Sequence, residues 1–354
     1  LTELWACRLR AACALALVLA TTGCLQVGYL VQAAKGQDDI SYRTRPIDEV
    51  LADGHVSEHT RSMLSLIGDV KAFGERHGIE ATDNYREYVK LDRPVVVYVV
   101  SASHPLRFAS KTWWFPIVGS VPYLGWFDKR SAQRYAKELE EEGWDVDLRG
   151  ARAYSTLGWF DDPILSTMIR PRPSVVGDMV NVVLHESVHA THYVNSQSAF
   201  NESLADYVAD SLTDVYLRDR LQVDRWELLA YAQSQMRREK RQKRFHEVHV
   251  RLEKLYASKL SDEDKLHIKK RITSQLRTET NFWRPINNAT LANTRTYHGA
   301  NGDLDELFRL CGRDWRRFWK AVKTIDEDTF DKPQQRKISA VIETAQKRCG
   351  ESRP

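Results

Sequence analysis

From Ser174 to Val194 the chain carries an apolar run whose period fits a helix, and a second such run follows from Ser198 to Leu217. Each begins with a serine placed to act as an N-cap. Further helical patterns cover Arg225 to Leu260, Asp262 to Thr280, Asp303 to Thr324 and Pro333 to Lys347. Before Pro173 the character is different. Arg93 to Ser101 is β-branched and reads as a buried strand, and the aromatic stretch Trp113 to Phe127, with Gly119, Pro122 and Gly125, reads as strand and turn. Ser131 to Glu142 is helix-like, and Asp145 to Leu157 reads as paired strands broken at Gly150. A small mixed or antiparallel sheet in the N-terminal half, followed by a mainly helical region, predicts an α+β fold.

The first of these helices contains His185-Glu186-Ser187-Val188-His189, an H-E-x-x-H. At 1.5 Å rise and 100° per residue, two histidines four apart lie on one helix face, about 6 Å apart along the axis. Two imidazoles so placed can converge on one Zn²⁺, and Glu186, one step round the helix, can reach a water at that ion and take its proton. His192 lies about 10 Å along the axis from His185, too far to share the same ion, and reads as a packing or supporting residue.

A catalytic zinc needs a third protein ligand and one open position. Glu202 follows His189 after twelve residues, in Asn201-Glu202-Ser203-Leu204-Ala205-Asp206, at the start of the second helix. Glu202 and Asp206 share a face at i,i+4, where like charges repel unless a cation lies between them. The pattern assigns Glu202 to the metal and Asp206 to the second ring N–H of a ligating histidine. An acidic first turn that merely complements the helix dipole is the other reading.

The N-terminus speaks to address. Arg8 and Arg10 precede an apolar run from Ala11 to Thr22, then Gly23-Cys24. That is the layout of a secretory leader, and the run is too short to span a membrane. Cys24 after Thr21-Thr22-Gly23 resembles a bacterial lipobox, which predicts removal of residues 1–23, acylation of Cys24 and one domain over 24–354; an ordinary secretory leader is the alternative. Leu25, where an inner-membrane retention signal would carry Asp, favours the outer membrane and a periplasm-facing protein. Composition adds an exclusion: 52 Lys+Arg against 48 Asp+Glu leave a net charge of +4 over 354 residues, not the balance of a dedicated nucleic-acid binder. The basic stretch Gln235 to Arg251, with Glu239, Glu247 and Glu253 interleaved, reads as a solvated helix face; a patch for anionic lipid or nucleic acid is the other reading. Of five cysteines three lie in the first 24 residues, leaving Cys311 and Cys349, which pair only if the fold brings them together.

H-E-x-x-H followed by N-E-x-x-x-D resembles the gluzincin metallopeptidases, although the connection between His189 and Glu202 is shorter than theirs. More closely, the mature chain resembles the bacterial lipoproteins classed as predicted aminopeptidases. The residues that carry this are Cys24 with Gly28-Tyr29-Leu30-Val31-Gln32-Ala33 and Gly36-Gln37, Phe115 to Gly119 with Val121-Pro122-Tyr123, Ala153 to Pro163, the H-E-x-x-H, Phe200 to Ser203, and Ile286 to Ala289. The resemblance implies a zincin-like fold, one zinc ion, a peptide or protein substrate and, less directly, exopeptidase action. By analogy with gluzincins, Tyr297 and His298 are candidates for transition-state donors, or else belong to a hydrogen-bonded loop. Tyr154 to Phe160, with Gly158, is either the edge strand on which an extended peptide docks or a buried aromatic strand. Asn288 is a further candidate for substrate binding. Asp161 and Asp162 suit either a substrate amine or a turn. The expectation is therefore a zinc peptidase with Glu186 as general base; the rival is a non-catalytic, zinc-stabilised envelope lipoprotein that binds peptides or serves as a scaffold.

Overall fold

The computed structural model describes residues 24–115, 119–153, 161–219, 225–296 and 301–351. In chain order the elements are α1 (Cys24–Tyr42), β1 (Arg45–Pro46), α2 (Ile47–Ala52), α3 (Glu58–Ser65), α4 (Ile67–Arg76), β2 (Glu87–Val89), β3 (Val97–Ser103), β4 (Trp113–Phe115), β5 (Gly119–Val121), β6 (Leu124–Trp126), α5 (Lys129–Glu141), β7 (Asp145–Ala151) and β8 (Ile164–Leu165). The helical half follows: α6 (Val175–Thr191), α7 (Ser198–Asp219), α8 (Arg225–Tyr256), α9 (Asp262–Glu279), α10 (Asn288–Thr296), α11 (Asn301–Leu310), α12 (Trp315–Val322) and α13 (Ser339–Glu351). The fold is α+β, with small sheets confined to the N-terminal half.

The sheet that matters for the site is antiparallel, in the order β6-β3-β7. Val99 of β3 lies opposite Gly125 of β6 on one side and Arg149 of β7 on the other, which fixes the register across all three strands. Side chains alternate between faces. Val100, Ala102, Leu124, Trp126 and Val146 pack on Ala132, Tyr135, Ala136 and Leu139 of α5. Val97, Val99, Gly125, Arg149 and Ala151 face the other way, onto a cleft shared with α6. A second sheet, β1-β2-β8, is mixed, and β4-β5 form a hairpin.

Helix α6 is the centre of the main core. Met179, Val180, Val183 and Val188 are fully buried, and Leu184 nearly so, against α4, α7 and α8. Gly177 lets α8 approach: a Cβ there would sit 2.4 Å from Cδ2 of Tyr231, closer than packed atoms come.

Several local expectations need correction. The ladder β3–β7 runs unbroken through Gly150, opposite Tyr98, so the long pairing with β3 outweighs the weakness of a glycine in a strand. Ser174 precedes α6 but does not cap it; its hydroxyl goes to Asp178 Oδ2 at 2.8 Å instead. Ser198 is already helical, and the carbonyl of Gln197 accepts from the N–H groups of Phe200 and Asn201. The predicted helix Asp303 to Thr324 is two, α11 and α12, separated where Gly312 and Arg313 take left-handed φ values of 75° and 56°. The N-terminal stretch before Arg93, left unassigned from periodicity, holds four helices among its described residues. Cys311 and Cys349 form a disulfide that ties α11 to α13.

Candidate metal and active site

The turn from α6 into α7 is short, and one side chain clamps it from within. Asn201 accepts from Val194 N at 2.9 Å and donates from Nδ2 to Val194 O at 2.8 Å, and it is 1% exposed. This double clamp sets the first turn of α7 directly against the last turns of α6, which carry His185 and His189. Glu202, the next residue, therefore faces both histidines.

The ligand atoms of His185, His189 and Glu202 all lie within 4.8 Å of one another. Nε2 of His189 is 3.2 Å from Nε2 of His185, which is 3.4 Å from Glu202 Oε2; Glu202 Oε1 is 3.7 Å from Nε2 of His189. Donors at 2.0–2.2 Å around one tetrahedral ion would be separated by about 3.3–3.6 Å. One buried and two half-buried groups at those spacings, two imidazole nitrogens and a carboxylate, fit a metal ion. Asp206 Oδ1 lies 3.1 Å from Nδ1 of His185, the arrangement in which the ring donates there and keeps its Nε2 lone pair for the cluster. His189 Nδ1 is buried with no hydrogen-bond partner among the described residues.

Burial opposes charge throughout this cluster, and the partners decide the balance. Burial alone would depress the His185 imidazole, but the hydrogen bonds to Asp206 and Glu202, with the charges of Asp206 and Glu186, raise its pKa well above the ordinary range. His189 is pushed down to about 4, mainly by burial and partly by the neighbouring His185. Burial pushes Glu202 up, yet its contacts with His185 and His189 leave it below the usual carboxylate range. Glu186 is raised to about 7, first by burial and then by the fields of Glu202, Asp162 and Asp206. A carboxyl poised near neutrality is suited to move a proton in either direction.

The cluster opens onto a cleft of about 750 Å³, with His185, Glu186, His189 and Glu202 on its helical wall. The opposite wall is the sheet face bearing Val97, Val99 and Arg149, and α1 closes a third side with Tyr29, Ala33 and Gln37. Helix α1 is strapped to β6: Gln32 donates to Gly125 O at 3.1 Å and accepts from Phe127 N at 3.0 Å, and Gly125 N donates to the Tyr29 hydroxyl at 3.3 Å. Those are the backbone groups with which an added strand would pair on the free edge of β6.

Other sequence candidates fall elsewhere. Asn288 is fully buried and faces no cleft. Its Nδ2 donates to the carbonyls of His104 and Pro105, its Oδ1 accepts from the Tyr256 hydroxyl, and so it fixes a loop and has nothing left for a substrate. Tyr154, Gly158, Tyr297 and His298 lie outside the described residues, and so does the side chain of Cys24. Asp162 is buried, its backbone pairing with Asn84 Oδ1 and with Tyr85 N, while Asp161 is exposed. The ring of His192 packs edge-on against Phe200 at 6.0 Å, away from the cluster.

Sequence reasoning missed three features. Arg149 on the cleft wall had one signal, since Asp145, Asp147 and Arg149 alternate with Val146 and Leu148 along one strand. Tyr193, whose ring meets His189 edge-on at 6.3 Å, and the contribution of α1 had none short of the fold.

A family model described as "Putative aminopeptidase" matches residues 28–338, and the chain belongs to that family. No curated protein and no solved structure matches it.

Proposed function

We propose that the protein is a zinc-dependent peptidase of gluzincin type acting as an aminopeptidase. The observation that carries this reading is the spacing of His185, His189 and Glu202 around one point, with Glu186 on the same cleft wall. When bound there, zinc would polarise a peptide carbonyl and acidify water enough for deprotonation near neutral pH. Glu186 takes that proton and later delivers it to the leaving amine, a double role its near-neutral carboxyl supports. Asp206 holds the His185 ring in the tautomer that presents Nε2. The family supports peptide hydrolysis.

The same reading places the mature chain, residues 24–354 as one domain, in the bacterial envelope, lipid-anchored through Cys24 and facing the periplasm, with the outer membrane as its site. Two observations support this. The Cys311–Cys349 disulfide suits an oxidising compartment. No helix among the described residues is long and apolar enough to cross a membrane, so attachment would fall to the lipid.

The test is a panel of peptides with free or blocked N-termini, assayed with zinc and with chelator. Chelator-sensitive cleavage of free-amine substrates only is the expected result. Cleavage of blocked peptides would make the protein an endopeptidase, and no cleavage at all would make it a binding module.

A further inference from the structure

Outside the metal cluster and Glu186, the cleft lining contains two charged side chains among the described residues, Asp38 on α1 and Arg149 on β7. Both have no ion pair among the described residues. For Arg149 this stands out because of its neighbours on the strand. Asp145 and Asp147 lie on the same face, and each is answered by a buried or nearly buried cation, Lys269 and Arg284 respectively. Arg149, the next residue on that face, sits where the strand reaches the cleft, with its guanidinium partly buried and unanswered.

We propose that Arg149 receives the free C-terminal carboxylate of the substrate, so that the cleft selects short peptides ending in a carboxylate, of dipeptide or tripeptide size. The proposal rests on the peptidase reading above and names the substrate class for it. A guanidinium presents a planar fork of N–H donors that matches a carboxylate with two parallel bonds. Glu202 is close enough for Arg149 to stabilise its charge but makes no ion pair with it, and its two oxygens face the histidines. With Glu202 engaged at a metal, the other carboxyl groups on the described cleft wall are Glu186 and the exposed Asp38, and the guanidinium forms an ion pair with neither.

Geometry sets the size. Arg149 and Gly125 stand two strands apart across Val99, about 10 Å. Beyond Gly125 the edge of β6 is occupied by Tyr29 and Gln32, so a long peptide cannot extend the sheet there. A volume near 750 Å³, closed on that side, matches sites that enclose a small ligand.

The experiment uses binding, so that it does not depend on turnover. The zinc-loaded full chain carrying Glu186→Gln is titrated calorimetrically with alanyl-alanine and with alanyl-alanine amide. The free acid is expected to bind about tenfold or more tighter, the gain of a charge-assisted pair over a neutral one. Adding Arg149→Gln should abolish that preference, and Arg149→Lys, which keeps the charge and loses the fork, should retain part of it. Equal affinity for acid and amide in the Glu186→Gln protein overturns the proposal, and so does a preference that survives Arg149→Gln or the absence of binding by either ligand. Failure of the peptidase reading would show separately, as wild-type protein that binds the free acid and never cleaves it.

Discussion

At the residue scale the site is a set of opposed tendencies resolved by contact. Glu186 is buried enough to rise to about 7 and open enough to line the cleft. Replacing it by Gln keeps the shape and removes the proposed base. Turnover is expected to fall by about 10²–10⁴-fold with zinc content unchanged, as read by steady-state kinetics and metal analysis. Glu202→Ala removes one of the three proposed ligands, and the purified protein is expected to carry far less than one zinc per chain. Asp206→Asn, which leaves the ligands in place, should weaken zinc binding or activity by about 10–100-fold. His192 gives a different kind of prediction. Its ring is held neutral by burial and by Lys323, against the opposing influence of the Ile325 backbone and Glu80, so its folded pKa lies below the unfolded value near 6.5. The unfolded chain then binds more protons between those two values, and this residue's contribution to stability falls as pH drops below about 6.5. His192→Gln should show a shallower loss of melting temperature between neutral pH and pH 5 than the wild type.

At the scale of elements the decisive unit is the pair α6–α7 and its short turn. The H-E-x-x-H face was legible because helical periodicity fixes which residues share a side. The role of Asn201 was not, since an asparagine beside a glutamate carries no sign of what its amide will grip. Asn201→Ala leaves the buried N–H of Val194 unpaired, at a cost of about 1–3 kcal/mol, while the Val194 carbonyl keeps the N–H of Gln197. The expected result is a lower melting temperature accompanied by weaker zinc binding, because the clamp orients Glu202. Strand β7 teaches the converse lesson. A glycine suggested a break, yet the pairing from Val97 to Ser103 carries the strand through it. Local propensity is a weak prior once seven consecutive partners are available.

Over the whole molecule, the N-terminal and C-terminal parts meet around one large core that runs from Ile40 to Cys349. The disulfide closes a loop of 38 residues, and neither cysteine lines the cleft. A crosslink of that span stabilises by about 3–4 kcal/mol through the unfolded chain. Replacing both cysteines by serine should lower the unfolding free energy by about that amount in denaturant titrations and leave activity at the cleft unchanged. Helix α1 also belongs to this scale. It begins at Cys24, covers the edge of β6 and forms one wall of the site.

By itself the sequence determined the order of sheet before helices and the helix face that carries His185 and His189. It also singled out Glu202 and Asp206 as their partners. Those follow from short-range periodicity, which acts within one helix or one turn. What only the tertiary structure decided is which distant parts share the cleft: Arg149 from a strand, α1 from the N-terminus, and the burial that shifts Glu186. It also withdrew Asn288 into the interior and joined Cys311 to Cys349. Contacts between residues far apart in the chain are fixed by how the faces of many elements fit together, and no local pattern encodes that fit.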